Sequence, residues 1–315
     1  MSMTERDLIP QRKDRQPYQF LEIDPPEAVL KEAQTILRMI SPSLDATPVN
    51  SAFDMILRVF NGEHPDYRAC NTYYHDLRHT TDAFLAMARL IHGAFLQGER
   101  MDDRTIHTAL IAALFHDTGY IQKKHDTRGT GAKYSLSHVK RSMEFLKRHG
   151  PDLNLGAVEV AEGSAMISCT DISREIRASR FPSPVVEILC RILNAADLVA
   201  QMADSRYLEK LLFLYHEYKE GKVGNYLNEV DLLRKTIGFY EYIEKRLAPI
   251  SEKVNRFMAC HFDSRRGIPR NLYAEAIQDR KEHLLRVLAL PGADPRDHLQ
   301  CRDIIEKVRT VYGPG

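Results

Sequence analysis

The chain has 315 residues, 43% of them hydrophobic and 28% charged, with a formal net charge of +1. Those are ordinary values for a globular protein, and the near-neutral balance excludes a global electrostatic pull toward nucleic acid or a membrane surface. No apolar run approaches the roughly 20 residues of a membrane span. The charged opening "MSMTERDLIPQRKDRQPYQF" lacks the apolar core of a signal peptide, so a cytoplasmic protein is expected.

Residues 1–26 are rich in charge and proline and read as an irregular arm. From Glu27 the pattern is helical almost throughout. "PPEAVLKEAQTILRMI" opens on prolines, which a first helical turn tolerates, and "TPVNSAFDMILRVFNG" stops at a glycine. "HDLRHTTDAFLAMARLIHGAF" and "DDRTIHTALIAALFHD" follow as two apolar helices, the second with Ile106, Leu110, Ala113 and Leu114 on one stripe. "GYIQKKHDTRGTGAKYS" is a glycine-rich loop, and "LSHVKRSMEFLKRHG" a helix with basic residues in its last turn. "NLGAVEVAEGSAMISCTDI", "SPVVEILCRILNAADLVAQM", "RYLEKLLFLYHEYKEG", a long "YLNEVDLLRKTIGFYEYIEKRLAPISEKVNRFM" and "RRGIPRNLYAEAIQDRKEHLLRVL" complete the helical set. No alternating strand pattern and no repeat interrupts it. The expectation is an all-α helical bundle over residues 27–290, with a C-terminal extension from 291 to 315. The five cysteines, Cys70, Cys169, Cys190, Cys260 and Cys301, form no C-x-x-C pair and read as free thiols.

The chemistry lies at the edges of the apolar helices. On a helix His79 shares a face with Ala83, Ala86, Met87 and Leu90. His116 and Asp117 follow directly on Leu114 and Phe115. Asp197 shares a face with Leu189, Leu193 and Ala200, which predicts a buried carboxylate. A buried unpaired charge costs several kcal/mol, so a partner is required. One divalent metal accounts for all four residues. Two imidazoles and two carboxylates make a mixed nitrogen and oxygen set, suited to Mn, Fe, Zn, Mg, Co or Ni and less to thiolate-seeking ions. The core of a helical bundle is where such side chains converge.

The order His79, His116–Asp117, Asp197 resembles the ligand pattern of the HD phosphohydrolase superfamily. Within it, "YYHDLRHTTD" is similar to the Y-H-N-x-x-H signature of class I cyclic-nucleotide phosphodiesterases. "MISCTDISREI", "AADLVAQM" and "KTIGFYEYIEKRLAPI" resemble that family's A-T-D-M, A-D-L and S-Q-V-G-F-x-D-Y-I segments, in the same order, between about Ser51 and Pro249. The resemblance implies hydrolysis of a phosphodiester such as a cyclic nucleotide by metal-activated water. It makes His75 the proton donor to the leaving oxygen, a role open to an imidazole near neutral pKa. It makes Asp117 both ligand and catalytic group, and places Tyr74, Thr170, Thr236 and Phe239 on the substrate side.

Three departures bear on this. The family's H-D-x-x-H ends here in Tyr120, and its next acidic position falls near Ser135. His138 is then the candidate donor for a second metal. The purine-holding glutamine is replaced by Thr236, too short for the same bidentate contact. The partner expected is a small phosphoester or nucleotide, with no nucleic acid and no membrane. The alternatives are an HD-type nucleotidase, a di-iron oxygenase, or a degenerate module that binds a nucleotide for signalling. The basic loop with Lys123, Lys124, Arg128 and Lys133 reads as a solvated loop first and a phosphate lid second.

Overall fold

The computed structural model describes residues 18–174 and 181–313, and most of the expected N-terminal arm lies outside that range. Among the described residues the protein is all-α, with twelve α-helices and no β-strand. The first six are α1 (Pro26–Ile40), α2 (Thr47–Phe60), α3 (Leu77–Leu96), α4 (Asp103–Phe115), α5 (His138–His149) and α6 (Ala157–Ser168). The rest are α7 (Pro184–Ala203), α8 (Tyr207–Gly221), α9 (Glu229–Leu247), α10 (Ser251–Arg266), α11 (Leu272–Leu288) and α12 (Arg302–Tyr312).

Helix α3 is the axis. It packs against α1, α4, α7 and α10. Small and apolar residues alternate around it, so Ala83, Phe84, Leu85, Ala86, Met87, Leu90 and Ile91 are all buried. Each large apolar side chain withdrawn from water there contributes about 1.5–3 kcal/mol. Close approach of α10 depends on Gly93, where a Cβ would lie 1.9 Å from the Phe257 carbonyl oxygen. One residue away, His92 and His261 face each other with their Nδ1 atoms 3.0 Å apart. Burial pulls His92 down to about 4 and His261 to about 2, so both rings are neutral and one donates to the other.

A second apolar cluster lies beside the first. Tyr207, Leu211 and Leu212 of α8, Leu232, Leu233 and Tyr240 of α9, Leu284 of α11 and Ile305 of α12 are buried in it. Helix α7 joins the two, with Leu189 and Leu193 in the first cluster and Leu198 and Met202 in the second.

Several boundaries differ from those expected. The long segment from Tyr226 breaks at residues 248–250 into α9 and α10, because Pro249 cannot donate to the helical ladder. Arg265 and Arg266 belong to the end of α10, and Gly267, with φ +67°, ends that helix. The C-terminal segment is fastened to the body. Glu209 accepts from Gln300 N and Cys301 N at 2.6 and 3.0 Å, and Tyr312 stacks on His216 with ring centroids 3.7 Å apart. The described lead-in is fastened too: buried Arg89 donates to the Phe20 carbonyl, and Tyr18 to Asp279 at 2.7 Å.

Gly93→Ala is expected to lose about 3 kcal/mol in urea unfolding through overpacking. Gly238→Ala, on α9 with nothing within 4 Å of the added Cβ, is expected to gain up to about 1 kcal/mol. The histidine pair sets an acid limit. An unfolded imidazole protonates near 6.5, whereas the folded rings resist, so the unfolded chain binds more protons. Stability is present above pH 6.5 and is lost on acidification at about 1.4 kcal/mol per pH unit for each proton. His261→Gln should flatten that slope between pH 6.5 and 5 by about one proton, read from unfolding midpoints.

Candidate metal centre and active site

The four predicted donors come together where α3 begins, α4 ends and α7 passes its midpoint. Asp76 is the N-cap of α3, accepting from His79 N at 2.8 Å, which fixes His79 in the first turn. His116 is the C-cap of α4, and its Nδ1 donates to the Ala113 carbonyl at 2.7 Å. That bond leaves the His116 Nε2 lone pair facing inward. His79 Nε2 lies 3.4 Å from it, 3.2 Å from Asp117 Oδ2 and 3.1 Å from Asp197 Oδ1. Asp197 is further held by Gln201, whose Nε2 donates to Oδ1 at 3.1 Å, and the Tyr74 hydroxyl donates to Gln201 Oε1 at 2.5 Å.

All four side chains are buried. Asp117 Oδ2 has no hydrogen-bond partner at good geometry, and neither does His79 Nδ1. Burial works against every charge here: it presses the imidazoles toward neutrality and raises the carboxyls. The neighbours outweigh it. Asp117 and Asp197 push His79 up to about 9 and His116 well above its usual value, and the histidines hold both aspartates well below theirs. Such a cluster demands positive charge between the carboxylates, as protons or as a cation. His79, His116 and Asp117 offer ligand atoms all within 4.8 Å of one another, with Asp197 Oδ1 beside them. The two oriented imidazoles, the unpartnered carboxylate oxygen and the absence of thiols fit a divalent metal.

His138 stands on the other side of Asp117. Its Nε2 is 4.0 Å from Asp117 Oδ1, and its Nδ1 donates to the Ser135 carbonyl at 2.6 Å. Burial lowers its pKa, which keeps a lone pair on Nε2. Gly119 allows the approach, since a Cβ there would lie 1.9 Å from the His138 carbonyl oxygen. Asp117 thus turns one oxygen toward His79 and His116 and the other toward His138.

His75 does not share a helix with His79. It precedes the N-cap, outside α3, and its Nδ1 meets Glu217 Oε2 at 2.7 Å. The other oxygen of Glu217 accepts from Tyr73 N and Tyr74 N at 2.8 and 2.7 Å, so this buried carboxylate is held on three sides. Tyr120 lies between two imidazoles. Its ring stacks on His75 at 4.1 Å and on His138 at 4.6 Å. The residue that replaces the expected histidine therefore separates the two rings. Neither Glu217 nor Gln201 was among the predicted site residues. Gln201 is one turn beyond Asp197, a spacing at which a carboxamide reaches back. Glu217 carries no such local signal, because its partner is 142 residues away.

These groups form the floor of a cavity of about 440 Å³, lined by Tyr74, His75, His79, Asp117, His138 and Asp197, with His116 behind them. Thr170, Thr236 and Phe239 are on its walls. The Thr170 hydroxyl donates to the Ile167 carbonyl and that of Thr236 to the Leu232 carbonyl, both at 2.9 Å. Arg246 holds the Thr170 segment by donating to the carbonyls of Cys169, Asp171, Ile172 and Arg174. Leu211, Leu214 and Tyr218 of α8, whose spacing is that of an ordinary packed helix face, also face this space. The basic loop does not. Lys123 lies over the Tyr67 ring at 4.0 Å and Lys133 binds Asp126 at 2.6 Å, away from the cavity lining.

The sequence matches the model of the Npun_R2479-like family over residues 54–278. The chain belongs to that family. No curated protein matches it. Among solved structures, the phosphodiesterase domain of the Salpingoeca rosetta rhodopsin phosphodiesterase is similar at 15% identity and a TM-score of 0.48. That match covers 84% of this chain and 89% of the other.

If this cluster holds a metal, adding Mn²⁺ or Zn²⁺ at a hundred times its dissociation constant should add about 2.7 kcal/mol of stability. That would raise the melting temperature by several degrees, reversibly with EDTA. Asp197→Asn should bind at least tenfold less metal by elemental analysis and lose most of that shift. An equal shift in the variant would remove Asp197 from the metal set.

Proposed function

We propose that this member of the family is a divalent-metal-dependent phosphohydrolase acting on a phosphodiester. One observation carries the reading: two buried carboxylates and two oriented imidazoles converge at the floor of a cavity that is also lined by His75, which is backed by the buried Glu217. His79, His116, Asp117 and Asp197 would hold the first cation, and Asp117 Oδ1 with His138 a second. A cation there supplies a Lewis acid for phosphate oxygens and lowers the pKa of water.

The rest is the work of this chain. Breaking a P–O ester bond leaves an alkoxide that needs a proton. His75 lines the cavity, and with Nδ1 donating to Glu217 its Nε2 carries that proton inward. Glu217 fixes the tautomer and stabilises the imidazolium, as a buried carboxylate does for a catalytic histidine. Water attacks phosphorus, the leaving oxygen takes the His75 proton, and solvent restores it. The Tyr74–Gln201–Asp197 chain keeps Asp197 from rotating out of the cluster.

A degenerate binding module has less support, since such a chain has no use for a tautomer-fixing Glu217 beside an intact donor set. A cyclic nucleotide is the substrate the sequence landmarks point to, and the geometry around Thr236 adds nothing in its favour.

In the metal-loaded protein, His75→Ala is expected to lower kcat on its phosphodiester substrate by 10²- to 10⁴-fold. Glu217→Gln should lower it by about tenfold or more, and both variants should keep their bound metal. Full turnover after complete metal removal, or in His75→Ala, would sink the mechanism.

A further inference from the structure

The cavity is far larger than a phosphate group needs. Its volume of about 440 Å³ lies in the range of sites that enclose an organic ligand. What its walls offer to that organic part is specific. The hydroxyls of Ser135, Ser168, Thr170 and Thr236 all face the space, yet each donates to a carbonyl three or four residues earlier. Gln201 is the only carboxamide among the described lining residues. It is engaged at both ends, by Tyr74 and by Asp197.

Of the charged wall residues, Asp171 is engaged by Ser173 and Arg174, Lys235 by Asp231 and the Asn225 carbonyl, and Lys140 is exposed. The rest of the wall above the floor is mainly carbon. Helix α8 presents Leu211 and Leu214, α9 presents Leu232 and Phe239, and α5 presents Val139 and Met143. Leu136, which also lines the cavity, is 77% exposed, an apolar side chain left at the lip. The phenols of Tyr218 and Tyr226, rings 5.7 Å apart, have no hydrogen-bond partner among the described residues. Each is a single-point hydroxyl and cannot present a donor and an acceptor side by side. A purine edge needs that pair, and a buried ring nitrogen or amine left unpaired weakens binding. An apolar group leaves nothing unpaired and gains from every wall.

We propose that the organic group taken here is apolar, aryl or alkyl, so that the substrate class is an apolar phosphoester and not a purine nucleotide. This rests on the phosphohydrolase reading and narrows it. Phe239 on α9 and the Leu211–Leu214 face of α8 form the apolar subsite, and Tyr218 supplies one donor to the ester.

The test is calorimetric binding of three anions to the full-length Mn²⁺-loaded protein. They are naphthylphosphonate (a bicyclic ring without a hydrogen-bonding edge), AMP and inorganic phosphate. Naphthylphosphonate is expected to bind at least tenfold more tightly than AMP. Phe239→Ala should weaken naphthylphosphonate about tenfold and phosphate less than twofold. AMP binding as tightly as naphthylphosphonate overturns the apolar assignment alone. The wild-type ratio decides this even if the variant does not fold. An unchanged naphthylphosphonate affinity in a folded Phe239→Ala variant removes the subsite from α9. Absence of any phosphate binding overturns the phosphohydrolase reading itself.

Discussion

Two carboxylates cannot sit buried within a few ångströms of each other without positive charge between them. In this protein Asp117 and Asp197 do so, on either side of His79 Nε2. Much of the surrounding architecture serves that arrangement. The α4 carbonyl of Ala113 takes the far proton of His116, the α3 cap fixes His79, and Gln201 braces Asp197 from the next turn of α7. Each device turns a polar atom inward, so the interior requires positive charge at this point, as protons or as a cation.

The two apolar clusters explain why the polar floor lies where it does. Helix α7 contributes to both, and around Asp197 its faces diverge: Val199, Ala200 and Ala203 pack in the first cluster, Leu198 and Met202 in the second. The first cluster supplies the rigid donors from α3 and α4. The second supplies the wall of α8, and with it Glu217. The His75–Glu217 pair and the His79, His116, Asp117 and Asp197 cluster thus belong to different packing units that meet at the cavity. Helix α12 braces the second unit through Glu209 and the Tyr312–His216 stack, so the chain's last helix supports the helix that holds His75.

Much of this was legible in the sequence, and the limits are physical. Helical periodicity locates the elements because every helix buries a stripe, and it misjudges their ends and joints, as at Asp76, Pro249 and Gly267. His79, His116, Asp117 and Asp197 stand out as polar residues on apolar faces. His75 was legible as a histidine but not in its setting, since spacing alone suggests a continuous helix and the Asp76 cap interrupts it. Glu217 was hidden. It lies among tyrosines and lysines on a helix that looks like ordinary packing, and its role comes from contacts across 142 residues. The cavity face of Leu211 and Leu214 was hidden for the same reason, since a leucine that lines a cavity and one that fills a core have the same spacing.

The stack of His75, Tyr120 and His138 has a consequence for how the site keeps its dimensions. A phenol ring has a fixed thickness and does not compress, so Tyr120 acts as a shim between two imidazoles. It sets how far the His75 ring can approach that of His138, and flat contact on both faces limits tilting. A histidine at the same place would add a charge that varies with pH. Tyrosine adds none, because burial keeps its hydroxyl protonated. The interval between the His75 and His138 rings is therefore filled by a group whose shape and charge stay constant as the surrounding groups gain or lose protons.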